Sequence, residues 1–126
     1  MSRPVCAIIG AGDGLGQALA KKFAHQGYNV AVISRSLEGS AKALNAVRQA
    51  GMDGYHFYAD AQNPETIETA IANVISEMGE IEVLIYNARG DFTACKPLEI
   101  SYEQLSEVYN LEVVGHLRLL NQFYLK

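Results

Sequence analysis

The sequence predicts an α/β protein built on a parallel sheet. Short apolar runs of strand length alternate with segments of helical period along the 126 residues, and glycine or polar residues mark most of the junctions. The strand at residues 29–33 is continuously apolar, which is typical of a strand covered on both faces. Strands that alternate with helices form parallel sheets through right-handed crossovers. At this length we expect one domain over residues 1–126.

The first two strand–helix units follow the same pattern. We predict a strand at 4–10, a helix at 14–26 closed by Gly27 in a left-handed conformation, a strand at 29–33 and a helix at 37–50. The helical period places one set of apolar residues on the inward face of each helix. These are Leu15, Ala18, Leu19 and Phe23 in the first helix, and Leu37, Ala41, Leu44 and Val47 in the second.

The next two units complete a four-stranded sheet. A strand is predicted at 55–59, and the run Asn63-Pro64-Glu65 indicates the start of the third helix. A fourth strand is predicted at 83–86. We expect the strand order 3-2-1-4, with helices on both faces of the sheet.

A long last helix follows an irregular stretch. Ser101 and Gln104 are spaced as a capping box at its start. Residues 105–125 are apolar over more than one stripe, so we expect burial on several sides, and a homo-oligomer through this helix is one way to provide it. The fourth strand would be an open edge, which invites pairing with another chain.

Composition excludes several classes of function. The net charge of −4 and the scattered Lys and Arg give no field that would favour nucleic acid or an anionic membrane. No apolar stretch approaches the ~20 residues of a membrane span, and no signal peptide precedes the first strand. Cys6 and Cys95 have no metal-ligand spacing, so we expect no metal site and take a reduced cytoplasmic setting as the default.

The turn after the first strand predicts a phosphate site. Gly10, Gly14 and Gly16 form G-x-x-x-G-x-G between a strand and a helix. Residues without Cβ let backbone N–H groups approach phosphate oxygens, and the helix N-terminus adds positive partial charge. This order is typical of dinucleotide pyrophosphate binding, and a purely structural turn is the alternative.

The end of the second strand bears on the choice of cofactor. An NAD site usually places Asp or Glu here to accept the ribose 2′-OH, whereas this chain has Ser34-Arg35-Ser36. A guanidinium can clamp a 2′-phosphate with two parallel hydrogen bonds. NADP is therefore favoured and NAD stays possible, while a solvated surface arginine is the alternative reading of Arg35.

Polar residues at the carboxyl ends of the third and fourth strands extend this site. Asp60 could accept a hydrogen bond from the adenine amino group, or it could be a turn carboxylate. Asn87, with Ala88 and Gly90, could hold the loop over the cofactor, or it could be a plain turn residue.

The chain resembles the N-terminal half of the short-chain dehydrogenase/reductase family. The resemblance rests on Gly10, Gly14 and Gly16, on Asp60, on Asn87-Ala88 as part of an Asn-Asn-Ala-Gly motif, and on Asn110 in the fourth helix. It implies a Rossmann-like three-layer fold, truncated before the family's fifth strand, and hydride transfer between NADP(H) and an alcohol or carbonyl. It also implies one family-type catalytic residue here, Asn110.

The chain departs from the family pattern at several positions. Tyr86 replaces the first asparagine of the motif, Arg89 stands in place of its glycine, and Asp13 lies inside the phosphate loop, where its charge would oppose a nearby 2′-phosphate. The family's catalytic serine, and its tyrosine with lysine four residues later, would follow the fourth helix, and no Tyr here has Lys at that spacing. We therefore expect this chain alone to be inactive.

The expected function is thus that of the cofactor half of an oxidoreductase, and a non-catalytic dinucleotide-binding or subunit-interaction module is the alternative. The residues expected to bind the dinucleotide come from the glycine turn and from the ends of the second, third and fourth strands. They are Gly10, Gly12, Asp13, Gly14, Leu15, Gly16, Ser34, Arg35, Asp60, Ala61, Asn87 and Ala88.

Overall fold

A four-stranded parallel sheet forms the centre of the molecule. The computed structural model describes residues 3–11, 14–88 and 97–124. The strands are β1 (Val5–Ile9), β2 (Asn29–Ser34), β3 (Gly54–Tyr58) and β4 (Ile81–Tyr86). Their order is β3-β2-β1-β4, and every neighbouring pair is parallel. The predicted strand order and direction are confirmed.

Five α-helices follow or connect the strands in the described residues. They are α1 (Leu15–His25), α2 (Ala41–Gln49), α3 (Pro64–Met78), α4 (Tyr102–Tyr109) and α5 (Gly115–Tyr124). Short 3₁₀ turns at Glu38–Ser40 and Pro97–Glu99 precede α2 and α4. The predicted last helix is interrupted, because a π-helical turn at Asn110–Val114 separates α4 from α5.

Two apolar cores lie on opposite faces of the sheet and give the molecule three layers. Alternate residues of β1 face opposite sides, so Cys6 and Ile8 join the core under α1 and α2, whereas Ala7 and Ile9 join the core under α3 and α5. All five residues of β1 are buried, as expected for a central strand covered on both faces. Burial raises the pKa of the Cys6 thiol to about 12, so this residue is an apolar core residue and not a nucleophile.

The buried face of α1 differs from the predicted one. Leu15 is 64% exposed and Ala18 is also exposed, whereas Gly16, Ala20 and Ala24 are the buried residues. Leu19 and Phe23, which were also predicted to face inward, are partly buried and pack against the core on this side of the sheet. The predicted face is therefore right for these two residues and wrong for Leu15 and Ala18.

The start of α2 differs as well. Leu37 is 59% exposed and Ala41 is exposed, whereas Leu44 and Val47 are buried as predicted. The reason is the 3₁₀ turn at Glu38–Ser40, which has about three residues per turn and changes the phase of the helical face. Extending the period of α2 backwards to Leu37 was therefore wrong.

The helix starts follow the predicted signals in part. Ser101 and Gln104 form the predicted capping box, with the Gln104 N–H donating to Ser101 Oγ at 3.1 Å and the Ser101 N–H donating to Gln104 Oε1 at 3.0 Å. Pro64 occupies the first turn of α3, but the Asn63 side chain makes no capping hydrogen bond. The hydroxyl of Thr66 donates to the Asn63 carbonyl instead, at 2.7 Å.

The last helices bury only part of their apolar surface. Leu111 and Leu119 are buried, whereas the residues spaced four apart from α4 through α5 remain more than half exposed. This exposed stripe consists of Leu105, Tyr109, Val113 and Leu117. Burial on several sides, as predicted for this segment, is not provided within the described chain.

Candidate functional site

A cavity of about 350 Å³ opens at the carboxyl ends of the strands. Ligands of open parallel sheets bind at this edge, because the strand ends and the starts of the following helices converge there. Six of the residues expected to bind the dinucleotide line the cavity. They are Gly10, Ser34, Arg35, Ala61, Asn87 and Ala88.

Gly10 joins three strand ends at the floor of this cavity. Its φ is +92°, and a Cβ at this position would lie 2.7 Å from the Ala88 amide nitrogen. The Gly10 N–H donates to the Ile33 carbonyl at 2.8 Å, and the Asn87 Nδ2 donates to the Gly10 carbonyl at 2.9 Å. Both the backbone conformation and the close approach require glycine. Asn87 therefore contacts the glycine turn, and its role in holding the loop over a cofactor stays a prediction.

The other two described glycines of the turn have different surroundings. A Cβ on Gly16 would overlap the Ala11 Cα and lie 2.9 Å from the Gly10 carbonyl oxygen, so this glycine permits close packing of α1 on the turn. Among the described residues, none other than its chain neighbours would come within 4 Å of a Cβ on Gly14. Gly14 precedes α1, and no side chain of the described ranges caps that helix end. Space and a free helix N-terminus are what a pyrophosphate group requires at this place.

Three further predicted residues of the turn contribute less to the described site. Gly12 and Asp13 lie outside the described residues. Leu15 is exposed and is absent from the cavity lining. Its predicted role in cofactor binding stays a prediction.

Arg35 lies at the rim of the cavity. The residue is exposed, and no described residue forms a hydrogen bond or an ion pair with its guanidinium. The adjacent Ser36 Oγ accepts a hydrogen bond from the Gly39 N–H at 3.2 Å, and both residues line the cavity. An anion in the cavity could therefore contact the Arg35 guanidinium, which has no partner among the described residues, and the Ser36 hydroxyl group.

Ser34 is committed to contacts within the protein. Its Oγ donates to the Ser36 carbonyl at 3.0 Å, and it lies 2.8 Å from Ser40 Oγ and 2.9 Å from His56 Nε2. The Ser40 hydroxyl, which is buried, donates to the Ala11 carbonyl at 3.0 Å. These contacts connect the glycine turn, the end of β2 and the middle of β3 beneath the cavity.

Asp60 has the geometry of a turn residue. One carboxylate oxygen accepts a hydrogen bond from the Gln62 N–H at 3.0 Å, and the Asp60 backbone is held at both its N–H and its carbonyl by the Thr66 hydroxyl. Asp60 is absent from the cavity lining, whereas Ala61 and Gln62 are present. The turn role observed here is the alternative that the sequence left open, and an adenine contact stays a prediction.

Asn110 lies at the junction of α4 and the π turn. It is exposed and lines a second cavity of about 240 Å³ between the start of α3 and the last helices. Asn110 is absent from the lining of the first cavity, but Ala61, Gln62 and Leu111 line both. π-Helical turns are frequent at functional sites. Arg89 and Gly90, on the other side of the expected site, lie outside the described residues.

Tyr86 holds the π turn against the sheet. Its hydroxyl donates to the Leu111 carbonyl at 2.7 Å, and its ring centroid lies 4.1 Å from that of His116. A Cβ on Gly115 would lie 2.6 Å from the Tyr86 oxygen, so glycine provides the space for this hydroxyl. Burial, followed by the charge of Glu112, raises the pKa of Tyr86. The hydroxyl proton of Tyr86 is used in a bond to a backbone carbonyl, which gives this residue a structural role.

His56 gives the fold a pH dependence. Burial lowers its pKa from the ordinary value of 6.5, and a hydrogen bond with the Ser34 backbone opposes that shift only in part. The unfolded chain therefore binds a proton more readily than the folded one. Protonation of His56 does not reduce the free energy of unfolding above pH 6.5, and reduces it progressively as the pH drops below that value. We expect the urea midpoint of the wild-type chain to fall between pH 7 and pH 5 by more than that of His56→Gln. Equal falls in the two proteins would contradict this assignment.

Other classes of site have no support in the described part of the chain. Residues 3–11, 14–88 and 97–124 contain no group of three or more His, Cys, Asp or Glu side chains that could hold a metal ion. Within the same ranges, no helix has the length and apolar character needed to cross a membrane. His25 is exposed on α1, and His116 packs on Tyr86.

The fold and this cavity define a Rossmann-like α/β protein, and comparison with known proteins gives the family. The model of the short chain dehydrogenase family matches residues 4–125. The chain therefore belongs to the short-chain dehydrogenase/reductase family, and it corresponds to the N-terminal part of that family's fold.

Individual relatives agree with this assignment. The chain is 28% identical over 116 residues to the peroxisomal 2,4-dienoyl-CoA reductase of Danio rerio, a match that covers 91% of this chain and 38% of the relative. An NADH-dependent reductase A1-R′ solved in complex with NAD superposes with a TM-score of 0.85 at 25% identity, over 97% of this chain and 51% of that one. A metagenomic short-chain oxidoreductase in complex with NADP superposes with a TM-score of 0.87 at 21% identity, over 95% and 54%.

Two facts follow from these matches. The chain spans about half the length of the solved structures and less of the curated relative. One of the two structures holds NAD and the other NADP, so the fold is compatible with either cofactor.

The structure adds residues that the sequence did not indicate. Ser40, Gln62 and Leu111 join the cavity lining, and His56 contacts the site through Ser34. None belongs to a motif. Leu111 and Ser40 reach the site only because the π turn and the 3₁₀ turn orient them, and no sequence signal marks either turn.

Proposed function

We propose that this chain binds the adenosine and pyrophosphate part of NADP(H) and provides the cofactor-binding part of an oxidoreductase that transfers hydride between the nicotinamide and an alcohol or carbonyl. The observation that carries the proposal is the cavity at the carboxyl ends of the strands, which places the glycine turn and the uncommitted Arg35 on one site. Membership of the family supports the same reaction class.

The cofactor's groups can be assigned to residues that line this cavity and to Gly14, which is absent from its lining. The pyrophosphate would occupy the open space beside Gly14, at the N-terminus of α1. The 2′-phosphate would contact Arg35 and the hydroxyl of Ser36, and the adenine would lie toward Ala61 and Gln62. When bound, the cofactor supplies the hydride chemistry, and the residues described here bind and orient it.

The preference for NADP is tested by reversing the charge of Arg35. We expect Arg35→Glu to weaken NADPH binding by about tenfold or more and NADH binding much less, because the 2′-phosphate loses a charged donor and gains a repelling carboxylate. Fluorescence titration of both reduced cofactors measures the two affinities. Lys22→Glu makes the same charge change on an exposed face of α1 and is the matched control. Equal losses for the two cofactors would remove the assigned role of Arg35.

A second candidate function is a subunit-interaction module. The exposed stripe of Leu105, Tyr109, Val113 and Leu117 favours it, because its members lie one helical turn apart along one line. Stripes of this kind in isolated domains mark contact surfaces. This function is compatible with dinucleotide binding and does not require catalysis.

Self-association tests this second candidate. We expect Leu117→Glu to lower the average mass in solution, measured by analytical ultracentrifugation, because a buried carboxylate in a helix contact is unfavourable. Glu103→Gln, at an exposed polar position on α4, should leave the mass unchanged. A wild-type chain that stays monomeric at high concentration would remove the homo-oligomer.

A further inference from the structure

The contacts beneath the cavity require a definite arrangement of protons. Four hydrogen-bond contacts meet at two hydroxyl groups: Ser40 to the Ala11 carbonyl, Ser34 to the Ser36 carbonyl, Ser34 to Ser40, and Ser34 to His56 Nε2. A carbonyl oxygen only accepts, and each hydroxyl group has one proton to donate. The two serines alone therefore bring two protons to four contacts.

The tautomer of His56 decides how many protons the network has. If Nε2 were unprotonated, the two serine protons alone would have to serve all four contacts, and each proton would have to be shared between two acceptors. If Nε2 carries the proton, His56 donates to Ser34 and the network has three protons. The Ser34 proton then serves the Ser36 carbonyl and Ser40 Oγ together, as in a three-centre bond. This arrangement gives every contact a donor with only one shared proton, so it is the favoured one.

The location of the network links it to the cofactor. The bond from Ser34 to the Ser36 carbonyl closes a short turn around Arg35, and the bond from Ser40 to the Ala11 carbonyl fixes the glycine turn. Both turns line the cavity. The Ser34 proton is used within the protein, and a direct contact of Ser34 with the cofactor stays a prediction. The Ser34 hydroxyl group holds the backbone that presents Arg35.

We propose that His56, in its neutral Nε2–H tautomer, is a positioning residue for the dinucleotide site: it donates to Ser34 and thereby fixes the turn that aims Arg35 at the cofactor's 2′-substituent. The inference rests on the proposed function. It assigns selectivity between the two dinucleotides to a residue on β3 that does not line the cavity.

The first test reads the tautomer directly in the wild-type chain. Imidazole ¹⁵N chemical shifts distinguish a protonated Nε2 from a protonated Nδ1, and His25 and His116 provide internal references. We expect His56 to show the Nε2–H pattern at pH 7.5, without any cofactor present. An Nδ1–H pattern for His56 would overturn the inference.

The second test replaces His56 by glutamine or asparagine, whose side-chain amides differ in length. The side-chain nitrogen of His56→Gln can occupy the place of Nε2 and donate to Ser34, whereas the shorter His56→Asn places its amide near the former Nδ1. We expect His56→Asn to lower the ratio of NADPH to NADH affinity by about three- to tenfold, which corresponds to one hydrogen bond, and His56→Gln to restore most of it. His25→Asn, at an exposed position, should leave the ratio unchanged.

The outcomes separate the inference from the proposed function. Wild-type selectivity in both His56 variants would overturn the positioning role while dinucleotide binding stands. Equal loss of both cofactors in both variants would show a merely structural role and would also overturn it. A wild-type chain that binds neither NADPH nor NADH would overturn the proposed function itself, and the ¹⁵N shifts would still decide whether His56 completes the network.

Discussion

Replacing Gly16 by valine should destabilise the chain by ~3–5 kcal/mol, enough to unfold much of a protein of ordinary stability. A Cβ at this position would overlap the Ala11 Cα and approach the Gly10 carbonyl oxygen, and both are backbone atoms that cannot rotate away. The start of α1 would have to move off β1, opening the core that contains Cys6 and Ile8.

Urea denaturation followed by far-UV circular dichroism measures this effect. Ala18→Val is the matched control, because Ala18 lies on the exposed side of the same helix and the added methyl groups would enter solvent. We expect that variant to stay within ~0.5 kcal/mol of wild type. A Gly16→Val chain with an unchanged midpoint would mean that the helix does not pack on the turn as described.

Replacing Gly14 by valine should abolish dinucleotide binding and leave the chain folded, in contrast to the loss of stability expected for Gly16→Val. Chain neighbours aside, no atom in the described part of the chain would lie within 4 Å of a Cβ here, so we expect the core to stay undisturbed. The same open space is where the pyrophosphate would lie, and a branched side chain would exclude it. Because charge-assisted contacts to the phosphates would be lost together, we expect a loss of at least ~100-fold in NADPH and NADH affinity alike.

Titration of both cofactors beside a urea denaturation curve separates folding from binding in this variant. Gly14→Ala, with a single methyl group, should reduce affinity less than valine does, and a graded loss would locate the obstruction at this Cβ. Full affinity in a folded Gly14→Val chain would mean that the turn has only a structural role. The two valine variants together therefore test whether Gly14 leaves room for the ligand and whether Gly16 leaves room for the packing of α1.

The parts of the fold that could be predicted depend on short-range signals. The apolar run of β2 and the capping box at Ser101 are properties of a few neighbouring residues, and both are confirmed. The parallel pairing followed from the regular alternation of strands and helices, whereas the strand order 3-2-1-4 was expected from the doubly wound dinucleotide-binding fold. These features do not depend on how distant side chains fit together.

The parts that could not be predicted depend on fit at long range. Gly16, Ala20 and Ala24 are the buried residues of α1, whereas the apolar period had placed Ala18 and not Ala20 on the inward face. The π turn is held by Tyr86, whose hydroxyl needs the space above Gly115, a pairing of residues that are distant in sequence. Tertiary contacts of this kind override local propensity.

The same distinction holds for the candidate site. Gly10 and Asn87 were expected from motifs, and their hydrogen bond agrees with the loop-holding role considered for Asn87. Ser34 was expected from its place after β2, but its hydroxyl group is used inside the protein. A motif predicts which residues lie at the site. Which acceptor each hydroxyl group donates to depends on the neighbours that the folded chain places around it.

The central place of β1 also has a consequence for biosynthesis. Its partner on one side, β2, follows closely, but β4 begins roughly 75 residues after β1. At the usual speed of translation this corresponds to a delay of about 4–15 s. During that interval one edge of the most apolar strand has no native neighbour, so a nascent chain would benefit from a chaperone that shields Val5–Ile9 until β4 leaves the ribosome.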